Sequence, residues 1–172
     1  MTLYASRRLL LPVAALLAAM LGACASYDGR GLVPGRSTAA EVENLMGTPA
    51  EKLPGAAGDT VWFYPRNPSG RHTYAVSIDA KGVLRGIEQT LTMDNIGKIV
   101  AEKSTPREVR ALLGPPNRIV QQRSPQREVW EYRMFNPIQV PYNLYVQYSN
   151  DGLVREVLFL RDPSQDIPSP RS

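Results

Sequence analysis

The chain writes one helical segment twice. Ser37-Thr38-Ala39-Ala40-Glu41-Val42-Glu43-Asn44-Leu45-Met46-Gly47-Thr48-Pro49 returns 67 residues later as Ser104-Thr105-Pro106-Arg107-Glu108-Val109-Arg110-Ala111-Leu112-Leu113-Gly114-Pro115-Pro116. Thr38 with Glu41, and Thr105 with Glu108, are S/T-x-x-E capping boxes, each satisfying orphan backbone donors at a helix N-terminus. Pro106 stands where a missing N–H costs nothing. Val42, Leu45 and Met46, like Val109, Leu112 and Leu113, fall at i, i+3, i+4 and share one helix face. Gly47 and Gly114 suit a left-handed cap, and the prolines beyond them stop the helix. A helix of about two to three turns is marginal alone in water, so each must lean on other structure.

The segments after each helix are repeated too. Val61-Trp62-Phe63-Tyr64 returns as Val129-Trp130-Glu131-Tyr132, and Asn67-Pro68 as Asn136-Pro137. Tyr74-Ala75-Val76-Ser77-Ile78 returns as Leu144-Tyr145-Val146-Gln147-Tyr148. The offset grows only where loops absorb insertions, as in two copies of one folding unit. Trp130, Tyr132 and Met134 share one strand face, and Glu131 and Arg133 the other. Val61 and Phe63 alternate with Trp62 and Tyr64, so that strand is expected to be covered on both faces. Asp79-Ala80-Lys81-Gly82 and Ser149-Asn150-Asp151-Gly152 are hairpin turns with glycine where positive φ is needed. The expected fold is α+β. Two tandem repeats, 37–92 and 93–162, each carry a short helix, or helix pair, on a three-stranded antiparallel sheet. Met93 to Val100, with Asp94 as N-cap, supplies the extra helix of the second copy. The pattern leaves open whether the two sheets merge or pack separately.

The N-terminus reads as an address. Arg7-Arg8 precedes an apolar run over residues 9–20, the layout of a signal peptide occupying 1–23. The run is shorter than the roughly 20 apolar residues a membrane-spanning helix needs. Leu21-Gly22-Ala23-Cys24 resembles a bacterial lipobox, with the chain's single cysteine where the lipid would attach. Residues 24–36, rich in glycine, are expected to be a flexible tether. Residues 163–172, rich in proline and serine, are expected to be a disordered tail. Removing Arg7 and Arg8 from 20 basic groups leaves 18 against 16 acidic ones, a balance of +2. That is too little for a nucleic-acid partner. One cysteine also excludes an intrachain disulfide.

A lead-in helix, then G-x-[ST]-x-x-[EQ]-V-x-x-[LM]-[LM]-G-x-P, W-x-Y and a strand after x-x-G-x-[LV], resembles the SmpA/OmlA (BamE-like) family of outer-membrane lipoproteins. More distantly the tandem arrangement is similar to the β-lactamase inhibitory protein fold. The likeness covers about residues 32–90 and 96–161. Gly35 keeps the family's glycine before the helix, whereas Glu102 stands there in the second copy. A family member with one copy is the assembly lipoprotein; this chain has two. The resemblance implies a lipid on Cys24 and, with Ala25 rather than aspartate after it, anchorage in the outer membrane facing the periplasm.

No motif for catalysis, a cofactor or a metal site stands out. His72 is the only histidine and has no cysteine or histidine beside it, whereas structural zinc takes four such ligands. It is expected to be a solvated residue at a strand end. Glu41 and Glu108 are occupied as caps, and Trp62 and Trp130 are expected in the cores. Arg118, Arg123 and Arg127 read as a basic loop. The stretch over residues 135–142 differs from its counterpart in the first copy, residues 65–71, which reads as polar and flexible. Around Asn136-Pro137 it gathers Phe135, Ile138, Val140 and Tyr142, with prolines to stiffen it. It either folds back onto the sheet or forms a protein-binding surface. The expected function is a non-enzymatic periplasmic binding or scaffold module in envelope integrity or outer-membrane β-barrel assembly. Its partners would be the membrane, through Cys24, and an envelope protein such as barrel-assembly machinery. The alternative is a protein inhibitor or ligand-capturing module working through a concave sheet.

Overall fold

The computed structural model describes residues 28–66 and 70–163. The signal segment 1–23, Cys24 with its neighbours to residue 27, Asn67-Pro68-Ser69 and the tail from residue 164 lie outside the described residues. The fold is α+β with two separate four-stranded antiparallel sheets. The first half runs α1 (Ala39–Met46), β1 (Glu51–Pro54), β2 (Thr60–Pro65), β3 (Thr73–Ile78) and β4 (Leu84–Gln89). The second runs α2 (Met93–Ile96), α3 (Pro106–Leu113), β5 (Arg118–Arg123), β6 (Gln126–Phe135), β7 (Pro141–Tyr148) and β8 (Val154–Arg161). Strands succeed one another across each sheet in chain order.

The halves agree in fine detail. Both capping boxes form, with Thr38 and Thr105 each receiving the N3 backbone donor and Glu41 and Glu108 each reaching back. The backbone N–H of Thr38 and of Thr105 holds the glutamate carboxyls below their ordinary range. That contribution is present above the usual glutamate pKa and is lost as pH falls through the lowered one. Each third strand is bulged against the fourth at the same place, Ser77/Ile78 and Gln147/Tyr148. Gly35 and Glu102, the pair that differs between copies, both take positive φ. Both donate a 2.8 Å hydrogen bond to the fourth strand, at Leu84 and Val154.

Helices α1 and α3 each bury their apolar face on their own sheet. Val42 and Met46 join Trp62, Tyr64, Val76, Ile78 and Leu84 in one core. Val109 and Leu113 join Trp130, Tyr132, Met134, Leu144, Val146, Tyr148 and Val154 in the other. Burial pushes the Tyr64 phenol up to about 12, with Glu43 adding to the shift, and pushes those of Tyr132 and Tyr148 well up. All three stay neutral throughout the physiological range.

Several expectations need correction. Each sheet has a fourth strand, β1 or β5, because the segment after the helix returns along the tryptophan strand as an edge. Arg118, Arg123 and Arg127 therefore sit on the β5–β6 hairpin rather than in a loop, and Arg118 is 2.8 Å from Glu131. The extra helix is shorter than expected and is capped by Thr92, not Asp94. Residues 28–36 are not a free tether. Gly29 is buried so tightly that a Cβ there would lie 2.4 Å from the Ile87 side chain, and Leu32 packs on the first core.

The second half's helix also touches the first half's sheet. Phe63 and Ala75 point away from their own core yet are 1% and 3% exposed. A Cβ on Gly114 would stand 2.6 Å from the Phe63 ring and 3.0 Å from the Thr73 methyl. Thr90 Oγ1 donates to the Leu113 carbonyl at 2.9 Å, and Arg110 Nε donates to both carboxylate oxygens of Glu51 at 2.8 Å.

Gly47 and Gly114 do not form the expected left-handed caps. Their φ values are 85° and 81°, but ψ is near 180°, a region essentially restricted to glycine. The pair makes a matched test. Nothing lies within 4 Å of a Cβ on Gly47, so Gly47→Ala should cost only the backbone strain, about 1–3 kcal/mol. Gly114→Ala adds overpacking against Phe63 and should cost a further 1–3 kcal/mol or so. Urea denaturation of both variants measures the difference, and equal losses would mean that Phe63 does not press on the helix end.

Candidate functional site

The loop singled out in the sequence is a tight turn between β6 and β7. Asn136 builds it. Its backbone N–H donates to the Val140 carbonyl at 2.9 Å, and its carbonyl accepts from Gln139 N–H at 2.9 Å. Its side-chain oxygen accepts from Ile138 N–H at 3.1 Å and Val140 N–H at 2.8 Å. Gln139 completes the turn at φ 61°. The asparagine side chain thus imitates a further backbone turn, as Asx residues do before proline.

The four apolar residues expected to form one patch are distributed. Ile138 stands out in solvent, 77% exposed. Tyr142 does not join it: its ring stacks on Phe159, centroids 4.4 Å apart and planes 10° apart, at the edge of the second core. Phe135 turns toward the first half and lies 5.5 Å from the His72 ring, which also stacks on Tyr74. His72 is therefore partly buried between aromatic rings rather than solvated. Val140 is half-buried and closes the turn through its backbone.

Beside Ile138 the turn forms one wall of a cleft of about 230 Å³. Phe135, Asn136, Pro137 and Gln139 face Leu91, Thr92, Met93 and Asp94 across it. Met93 is itself 43% exposed. The volume lies below the roughly 300 Å³ at which small-molecule pockets begin, so a side chain or two of a peptide suits it better. A broader groove of about 410 Å³ lies on the outer face of the first sheet, with Ser77 and Gly86 on its floor and the Arg85–Asp59 pair at its side. Among the described residues, no group of three His, Cys, Asp or Glu side chains is placed to hold a metal. No helix among them is long and apolar enough to cross a membrane.

The turn is fixed to the first half by a buried ion pair that the sequence did not reveal. Arg71 ends the segment read as polar and flexible, but its side chain is only 10% exposed, and it pairs with Asp162, 4% exposed. Arg71 Nη1 also donates to the Tyr142 carbonyl at 3.3 Å and to Asn143 Oδ1 at 3.5 Å. Arg133 approaches Asp162 at 3.5 Å, and the Asp162 backbone N–H donates to the Pro141 carbonyl at 3.1 Å. Asp162 thus lies beneath the root of the turn with two arginines on it. The only sequence signal was its place just before the proline-rich tail.

No family model matches the chain, and no curated protein matches it. A DUF4309 family protein (YjgB) of known crystal structure from Bacillus subtilis subsp. subtilis str. 168 is similar at 18% identity and a TM-score of 0.31. The similarity spans 77% of this chain and 84% of that one.

Breaking the buried pair from one side leaves a charge uncompensated. Asp162→Ala should cost about 3–5 kcal/mol. The double variant Asp162→Ala/Arg71→Met, which removes both charges, should cost clearly less than Asp162→Ala alone. Equilibrium denaturation of the set tests this, and simple additivity of the two substitutions would contradict a direct pairing.

Proposed function

We propose that the chain is a lipid-anchored, non-enzymatic binding or scaffold module of the bacterial outer membrane, built from two SmpA/OmlA-like repeats over 37–92 and 93–162. The repeat reading is supported by the matching caps, bulges and strand registers of the two halves. The lipid rests on Leu21-Gly22-Ala23-Cys24: a diacylated or triacylated Cys24 would hold the protein at the membrane, because each buried CH₂ contributes about 0.8 kcal/mol. The binding role rests on one observation above the others. Ile138 is held out in water on a turn stiffened by Asn136, next to a cleft the size of a peptide side chain. An exposed apolar anchor on a preorganised loop loses little entropy on binding. A stretch of an envelope protein, of the kind involved in β-barrel assembly or envelope integrity, is the partner this surface suits.

The first test is of the anchor: Cys24→Ser should leave the membrane fraction and lose its lipid mass, and unchanged fractionation would rule the anchor out. The second is of the surface. Because Ile138 is exposed, Ile138→Asp should change stability by less than about 0.5 kcal/mol. In cells it should lose the photo-cross-links that the unaltered protein makes to envelope proteins from positions around the cleft. Retained cross-links, identified by mass spectrometry, would sink this assignment. A single soluble enzyme as the cross-linked species would favour the inhibitor reading instead.

A further inference from the structure

The two copies treat the first edge of their sheets differently. β1 and β5 hold the same place: each lies outermost and pairs on one side only, β1 with β2 and β5 with β6. The other side of an edge strand turns backbone N–H and C=O groups to solvent, where a further strand can pair with them. Proteins ordinarily close such an edge with a short strand, a proline, a bulge or a covering element. β1 has three of these. It is four residues long, it ends in Pro54, and its Glu51 is held by Arg110 of α3.

β5 has none of them. It is six residues long, contains no proline, pairs with β6 without a shift in register, and exposes all six residues. By the 67-residue offset Gln121 stands where Pro54 does. The opposite edge of the same sheet, β8, is already bonded at its first residue. There Glu102 N–H donates to the Val154 carbonyl at 2.8 Å, and Val154 N–H donates to the Ser104 carbonyl at 2.9 Å.

The side chains define what would pair with β5. Ile119 and Val120 point to opposite faces and are 46% and 38% exposed, so an added strand would cover apolar surface on both. Arg118 is already paired with Glu131. Arg123 is exposed and Arg127 half-exposed at the hairpin end, and neither meets a carboxylate among the described residues. The neighbouring Glu128 is taken by Gln121 at 2.7 Å and Trp130 at 2.6 Å. A second copy of β5 is the wrong partner. Laid antiparallel over its own centre, the strand sets Arg118 opposite Arg123 at both ends, and like charges directly opposite are unfavourable. The edge therefore rejects itself while leaving its ladder open to an acidic strand.

We propose that β5 receives an extended acidic segment of another protein, apolar at its centre with carboxylates at its ends, as a fifth strand of the second sheet. Backbone hydrogen bonds supply affinity, Ile119 and Val120 the apolar contacts, and Arg123 and Arg127 the choice of partner. This edge is separate from the cleft beside Ile138. The β5–β6 hairpin meets β6 at Gln126, whereas the β6–β7 turn leaves it at Phe135, roughly 30 Å away along the strand.

The probe is a fluorescent hexapeptide in which valine and threonine alternate between glutamates at the two ends, added to the full chain in detergent. Anisotropy should show saturable binding that weakens as salt rises. The same peptide with lysines at its ends should bind about tenfold more weakly. In NMR spectra of the labelled protein, the amides that shift should be those of residues 118–123, not those beside the cleft. Gln121→Pro, which gives β5 the proline of β1, should abolish binding while thermal melting shows the chain still folded. Arg123→Glu/Arg127→Glu should invert the preference, so that the lysine-ended peptide binds the better. No general loss of folding can produce that inversion, so it decides the matter even where Gln121→Pro unfolds the chain. Absence of saturable binding, shifts centred elsewhere, or an unchanged preference in the double charge variant would overturn the proposal. Ile138→Asp should leave peptide binding intact, which separates this outcome from that of the β6–β7 turn.

Discussion

One short helix serves two sheets, and the remaining architecture depends on that. α3 fills the second core with Val109 and Leu113, and its far end presses on Phe63 and Thr73 of the first sheet. Arg110 joins the two layers in one side chain: its guanidinium lies 5.3 Å over the Trp130 ring while its Nε holds Glu51. Contact this close is possible because Gly114 has no Cβ. Its positive φ with extended ψ also turns the chain directly out of the helix into the approach to β5, without an intervening left-handed turn.

The second fastening is of a different kind. Around Asp162 the halves meet through charge and hydrogen bonds, with Arg71, Arg133, Tyr142 and Asn143 supplying them. A buried ion pair is weak evidence for added stability, because desolvation offsets most of its attraction. Its geometric effect is clearer. Arg71 fixes the backbone of Tyr142, so the turn that carries Ile138 is referenced to the first half as well as to its own sheet. The hydrophobic joint at Gly114 and the polar joint at Asp162 thus set the angle between halves from two separate points.

Local rules made much of this legible. The capping boxes, the parity of Trp130, Tyr132 and Met134, and the glycine turns are encoded within a few residues, and each formed as read. The fourth strands were not legible for a physical reason. β5 is exposed on both faces, so it has no apolar alternation, and β1 is four residues long and ends in proline. Arg71 carried no signal because its partner is 91 residues away. In the β6–β7 turn the apolar count was right, but its use was mixed. Exposure at Ile138 comes from its place at the tip, whereas Tyr142 reaches diagonally across β7 and β8 to Phe159, a contact set by register that no local pattern displays.

The positions where the copies differ are mostly those where their neighbours differ. Core residues hold their character: Val42 and Val109, Trp62 and Trp130, Val76 and Val146. On the outer face, Phe63 and Ala75 are apolar and small where a helix covers them, and their equivalents Glu131 and Tyr145 are polar or amphipathic where none in this chain does. A terminal unit in a stack needs such an outer face to stay soluble. Leu160 and Val120 run against that rule, both exposed on the same side of the second sheet. The face is therefore neither fully polar, as a finished end would be, nor as apolar as the covered one. Part of that face is closed from within the chain: Asn143, the equivalent of Thr73, is buried beneath Arg71 of the first half, which donates to its Oδ1 at 3.5 Å, so the two outer faces are covered by different means, one by a helix and the other by a single guanidinium.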